Sequence, residues 1–190
     1  NGALEGIAFS QDYLSLYASM EEPLYQDGAR ADVIRNNAWI RIYKYDATTR
    51  QNVAQYAYEL EPVAFAPFPL TAFKVNGISD LLFLSEDKLL TIERSFSTGR
   101  LSCSVKIFEV DVSTAENVMA VASLKESPPT QLIRKRLLLN MDTLGIHIDN
   151  VEGVTFGPQL ANGHQTLVFV SDNNFSSKQK TQFLLFEIIP

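Results

Sequence analysis

Apolar and aromatic residues gather along this chain in short runs of strand length. Three of the runs match one another: Leu4-Glu5-Gly6-Ile7-Ala8-Phe9, Ile78-Ser79-Asp80-Leu81-Leu82-Phe83 and Val151-Glu152-Gly153-Val154-Thr155-Phe156, with starts 74 and 73 residues apart. A second run follows each of them, at 14–20, 88–92 and 166–170, and meets an acidic residue at or just past its end, at Glu21, Glu93 and Asp172. A third set, at 40–46, 105–111 and 183–188, is dense in aromatic and branched residues, as strands packed between layers should be. Runs at 53–60 and 135–141 supply a fourth strand to the first two repeats.

The repeating unit is therefore four strands in about 73 residues, the signature of a four-stranded antiparallel β-propeller blade. The fold class is all-β, and the chain makes about two and three-quarter blades, with repeats at about 1–73, 74–146 and 147–190. The rival is a β-sandwich of irregular strands, which needs no long-period repeat. Eleven strands cannot close a ring of four to eight blades, and an open ring exposes apolar blade faces. The expected partner is thus a missing N-terminal half of the same propeller, and the chain alone is expected to self-associate. Residues 115–125 are read as the main non-β segment, a short helix or a loop.

Composition adds few constraints. With 46% hydrophobic and 20% charged residues the chain is globular. Its 16 basic and 22 acidic residues give a net charge of −6, which argues against a nucleic-acid partner. Cys103 is the single cysteine, so an intrachain disulfide and a Cys-based zinc site are excluded. No apolar run is long enough for a membrane helix, and the chain opens with neither Met nor a leader pattern, as an excised piece would.

The candidate chemistry is acidic. Inner strands of a propeller line its channel, and Glu5 and Glu152 head two of them, each before a glycine. Glu21, Glu93 and Asp172-Asn173 end second strands. Carboxylates and an amide converging on one end of a channel suit Ca²⁺ or Mg²⁺. Unpaired, such carboxylates would raise one another's pKa, and a cation or a partner such as Arg94 would relieve that. The competing reading makes the Glu-Gly pairs turns and Asp172-Asn173-Asn174 an Asx-type turn. No Gly-x-Ser-x-Gly elbow, phosphate loop or zinc motif occurs. Neither His147 nor His164 has a nucleophile at motif spacing, so a serine triad would need proximity created by the fold.

Taken together, these stretches resemble the phytase-like family, described by an esterase-like activity of phytase. The resemblance is carried by residues 1–9 with Leu16 to Glu21, by Leu89-Leu90-Thr91-Ile92-Glu93-Arg94-Ser95-Phe96, and above all by residues 149–158 leading into 167–175 and 181–186. It implies a propeller about twice this length and commonly exported, so a secreted or periplasmic location is expected. It also implies a metal-assisted phosphoester or ester hydrolase. Glu5, Glu21, Glu152 and Asp172 would then hold the metal, with calcium the expected ion, and Arg94 and Asn173 would meet a small phosphorylated or ester substrate. The alternative is a non-catalytic propeller serving as a binding platform at the cell surface or in the periplasm.

Overall fold

A computed structural model describes residues 3–189; Asn1, Gly2 and Pro190, the ends of the first and third expected repeats, lie outside the described residues. Eleven strands run in chain order: β1 (Leu4–Phe9), β2 (Ser15–Met20), β3 (Trp39–Asp46), β4 (Gln51–Glu59), β5 (Lys74–Ser85), β6 (Lys88–Ser97), β7 (Ser104–Asp111), β8 (Arg134–Asn140), β9 (Asn150–Phe156), β10 (Thr166–Asp172) and β11 (Phe183–Glu187). They form three open antiparallel sheets, β1-β2-β3-β4, β5-β6-β7-β8 and β9-β10-β11, each a simple meander. The only helical turn among the described residues is Met141–Leu144, capped by Asn140 in front and by left-handed Gly145 behind.

Residues 115–125 are irregular rather than helical. Strands β5 and β6 are longer than the runs at 78–83 and 88–92 suggest, because Asn76 and Gly77 belong to β5. Buried Asn76 keeps its amide satisfied by Glu61 O and Glu93 Oε2, each at 2.8 Å. A Cβ on Gly77 would stand 2.7 Å from Glu21 O, so this crossing between sheets admits only glycine.

The core lies in two layers on either side of the central sheet. Between the first and second sheets, Tyr17, Ile40, Ile42 and Tyr58 meet Ile78, Leu81, Leu89 and Phe108. Between the second and third, Leu90, Ile92, Val105 and Ile107 meet Val151, Leu167 and Phe169. Adjacent Leu89 and Leu90 point into opposite layers, as the period of two requires. The central sheet is therefore apolar on both faces, while the outer sheets leave apolar residues exposed, among them Ile7 and Phe9 on β1 and Phe183 and Leu185 on β11.

The first strands of the three sheets lie beside one another: β1 contacts β5, and β5 contacts β9. Each carries a register shift at the same place. It falls between Leu4 and Gly6, between Ile78 and Asp80, and between Val151 and Gly153, so that Glu5, Ser79 and Glu152 are the three unpaired bulge residues.

One connection breaks the sheet-by-sheet order. The segment between β7 and β8 returns to the first sheet, where Asn117 bridges Tyr56 and Val118 N donates to Gln55 O. Val118 and Leu124 bury Trp39 and Ala57 there. No helix among the described residues is long and apolar enough to cross a membrane.

Candidate functional site

The bulges fix which second-strand residues correspond. Leu4 pairs Met20, Ile78 pairs Glu93 and Val151 pairs Ser171. The next residue along is Glu21 in the first sheet, Arg94 in the second and Asp172 in the third. The equivalent of Glu21 is thus Arg94, one residue beyond the Glu93 that the sequence pattern matches to it. The apolar run of β6 stops at Ile92, so Glu93 takes the place that apolar Met20 holds in β2 and the acidic residue comes one position early.

Glu93 has a structural task instead. Its buried carboxylate accepts from Tyr58 Oη at 2.5 Å, Glu61 N at 2.9 Å, Asn76 Nδ2 at 2.8 Å and Lys135 Nζ at 2.8 Å. These partners come from both sides of the gap between the first two sheets, so Glu93 joins them.

Arg94 gathers the site. Its Nη2 meets Glu21 Oε1 at 2.9 Å, and its Nη1 meets Glu152 Oε1 at 3.0 Å and donates to Asn150 Oδ1. Asn150 Nδ2 in turn donates to Glu152 Oε1 at 2.5 Å. One guanidinium thus ties together all three sheets at the bulged end of their first strands. The Arg94 Nε is buried and has no hydrogen-bond partner among the described residues.

Burial pushes the Glu21 carboxyl above its ordinary value, and Arg94 offsets this only partly, with Glu5 and Glu22 raising it further. Burial likewise raises Glu152, opposed by Arg94 and Asn150 and reinforced by Glu5 and Glu21. Glu5 is exposed on its bulge and acts on both glutamates through its charge. One arginine among Glu5, Glu21 and Glu152 leaves the cluster with excess negative charge.

A cavity of about 360 Å³ opens beside the cluster, walled by Glu21, Arg94, Phe96, Cys103, Asn174 and Gln179. Burial raises the Cys103 thiol to about 11, which makes it a poor nucleophile. The wall holding Asn174 and Gln179 belongs to the loop after β10, and Asp149 pins that loop. Although burial opposes it, hydrogen bonds from Lys180 N at 2.7 Å, Asn150 N at 2.9 Å and Gln179 Nε2 at 3.2 Å hold the Asp149 carboxyl below its usual range.

Of the residues singled out in the sequence, Glu21, Glu152 and Arg94 are brought into contact, and Glu5 stands within electrostatic reach. Asp172 is exposed and its Oδ1 accepts from Asn174 N at 3.1 Å. Asn173 Oδ1 accepts from Phe175 N at 3.0 Å. Both side chains cap the turn after β10, and it is the neighbouring Asn174 that reaches the cavity wall. Asn150, part of the 149–158 stretch but not among the site residues expected from the sequence, joins the cluster because the bulge at Glu152 leaves both side chains within hydrogen-bond reach.

Among the described residues no three His, Cys, Asp or Glu side chains are grouped closely enough to hold a metal ion, for the Arg94 guanidinium stands between Glu21 and Glu152. The donor set is nonetheless the hard-oxygen kind that suits calcium or magnesium.

Residues 1–175 match the phytase-like family, whose description is esterase-like activity of phytase. The chain belongs to this family. No curated protein and no solved structure matches it. The family match covers β1 to β10, and with them the whole Arg94 cluster.

Proposed function

We propose that this phytase-like chain supplies part of a cation-assisted hydrolase acting on phosphoesters or carboxylic esters at the Arg94 cluster. The observation that carries the reading is the excess of half-buried carboxylate around one guanidinium, with Glu21 and Glu152 both pushed above their ordinary values. Glu5, Glu21 and Glu152 would hold a divalent cation, calcium first by donor type, while exposed Asp172 stays with its turn. Such an ion supplies polarisation of a phosphoryl or carbonyl oxygen and a more acidic water. Arg94 turns from the carboxylates to the substrate's anionic oxygen, which its fork can meet at two points. Asn174 and Gln179 present amides to the substrate from the cavity wall.

In the architecture that goes with this reading, the three sheets are consecutive blades of a propeller with β1, β5 and β9 innermost. Support comes from the contacts of β1 with β5 and of β5 with β9, and from the bulge repeated in all three. The exposed apolar faces around Ile7 and Phe9 and around Phe183 and Leu185 would pack against further blades, or against other copies of the chain if left open. An exported, extracellular setting fits calcium use.

The test is calorimetric titration of calcium into the protein and into its Glu152→Gln variant. Stoichiometric binding that the variant loses supports the reading. A second reading, a non-catalytic binding platform, is favoured by one observation: Arg94 already pairs both glutamates. Absence of calcium binding in either protein would leave that reading standing and overturn the first.

A further inference from the structure

The fold brings together three side chains that no local motif connects. Ser102 Oγ lies 2.7 Å from His147 Nδ1, across 45 residues of sequence. His147 Nε2 lies 3.4 Å from Asp149 Oδ2. The backbones that carry them are bonded to each other, with Cys103 N donating to Ile148 O at 3.2 Å, so Ser102 and His147 face one another across a fixed junction. Gln182 Nε2 holds the carbonyl of His147 at 2.9 Å, and its Oε1 accepts from Asp149 N at 2.8 Å.

The arrangement sets the tautomer. Asp149 is buried, and its carboxylate is already an acceptor for the Lys180 and Asn150 amides, so it meets His147 as an acceptor. The proton of a neutral imidazole then sits on Nε2, and the bare Nδ1 accepts from the Ser102 hydroxyl. This is the nucleophile, base and orienting carboxylate of a serine hydrolase with the two ring nitrogens exchanged. Ser102 and His147 are both exposed to solvent, as an attacking group and its base must be.

Beside them is a cavity of about 440 Å³, lined by Ser102 itself, by Phe65, Leu101, Ile146 and Ile148, and by Arg100 and Asp142, the last accepting from Ser104 Oγ at 2.5 Å. The walls suit an apolar acyl group. Arg100, whose guanidinium stacks on Phe65 at 4.3 Å from the ring centre, is the cationic group available to a developing oxyanion.

We propose that Ser102, His147 and Asp149 form a second hydrolytic site, distinct from the Arg94 cluster, that cleaves carboxylic esters of apolar acids through an acyl-serine. The Ser102 Oγ attacks the ester carbonyl carbon while its proton passes to His147 Nδ1, and the carbonyl electron pair moves to oxygen. Collapse of that oxyanion breaks the bond to the alcohol oxygen, which leaves with the proton from Nδ1. Water then attacks the acyl-serine, again giving its proton to Nδ1. The carboxylic acid departs, and Ser102 regains its proton. Asp149 acts through His147 and is a positioning residue.

The test is labelling of the full chain with a fluorophosphonate, followed by intact mass and peptide mapping, with and without a chelator. One adduct is expected, at Ser102. It is absent from Ser102→Ala, formed at least 100-fold more slowly in His147→Asn, and unaffected by chelation. Asp149→Asn is expected to lower the maximal labelling rate at an unchanged half-saturating probe concentration. No adduct, or an adduct whose rate ignores His147→Asn, overturns the proposal. Chelation separates this site from the cation site: labelling that survives chelation in a protein without calcium binding supports the second site and removes only the first.

Discussion

Arg41 and Asp27 form a two-point ion pair inside the protein, Nε to Oδ2 at 2.7 Å and Nη2 to Oδ1 at 2.8 Å, and both are buried. The same guanidinium donates to Val121 O at 2.8 Å and Val118 O at 3.3 Å, and Asp27 Oδ1 also accepts from Leu124 N at 2.9 Å. The long connection from the second sheet is thus hung on a charge pair of the first. Because every strong donor and acceptor here has a partner, the pair fixes where the connection lies.

Removing one member leaves the other charged, buried and alone. Asp27→Ala is therefore expected to lose about 3–5 kcal/mol in urea unfolding. The double change Asp27→Leu with Arg41→Met should recover only part of that, because Val118 O, Val121 O and Leu124 N lose their partners. An unchanged midpoint for Asp27→Ala would show that the pair does not hold the connection.

Tyr58→Phe deletes a hydroxyl that donates to the buried Glu93 carboxylate. Hydrogen bonds to charged groups are worth about 1.5–3 kcal/mol, and a loss in that range is the expected result. The measurement is again denaturant unfolding, with Tyr56→Phe as the half-buried comparison.

The pH dependence of the Arg94 cluster runs against the habit of paired carboxylates. Glu21 and Glu152 both lie above their ordinary 4.5 in the folded protein. A group so raised stabilises the fold fully below its unfolded value and loses that contribution as pH rises through the folded value. Without added cation, Glu152→Gln is therefore expected to raise the melting temperature at pH 7 and to flatten its rise on acidification toward 4.5. A lower melting temperature at pH 7 would show that Glu152 gains more from Arg94 than burial and its acidic neighbours cost it.

Gly6 sits where β1 meets both β2 and β5. A Cβ there would stand 2.7 Å from Ser19 Oγ and 2.9 Å from the Leu81 backbone nitrogen. The hydroxyl could turn aside, but the backbone cannot. Gly6→Ala is expected to cost about 1–3 kcal/mol as overpacking, read by thermal unfolding.

Much of the fold was legible because strands announce themselves in apolar runs and because the Glu-Gly opening of β1 returns in β9. What the runs conceal is register. In β6 the apolar run ends at Ile92, so Glu93 stands where apolar Met20 stands in β2, and the residue equivalent to Glu21 is Arg94. Asp172 and Asn173 each accept a backbone N–H in the turn after β10, and an Asx side chain after a strand reads the same as a ligand or as a cap. The approach of Ser102 to His147 left no trace in the sequence at all, because it depends on where two loops of different sheets come to rest. Arg41 gave no signal for the same reason: its partners, Asp27 and the carbonyls near residue 120, lie far from it along the chain.

The return of the β7–β8 connection to the first sheet also has a consequence for birth on the ribosome. The first four strands emerge and can pair long before Val118, Val121 and Leu124 have been synthesised. Throughout that interval Trp39 and Ala57 lack their cover, and the Arg41–Asp27 pair lacks the carbonyls and the amide that complete it. The nascent first sheet thus keeps an uncovered apolar edge for as long as translation takes to reach Leu124.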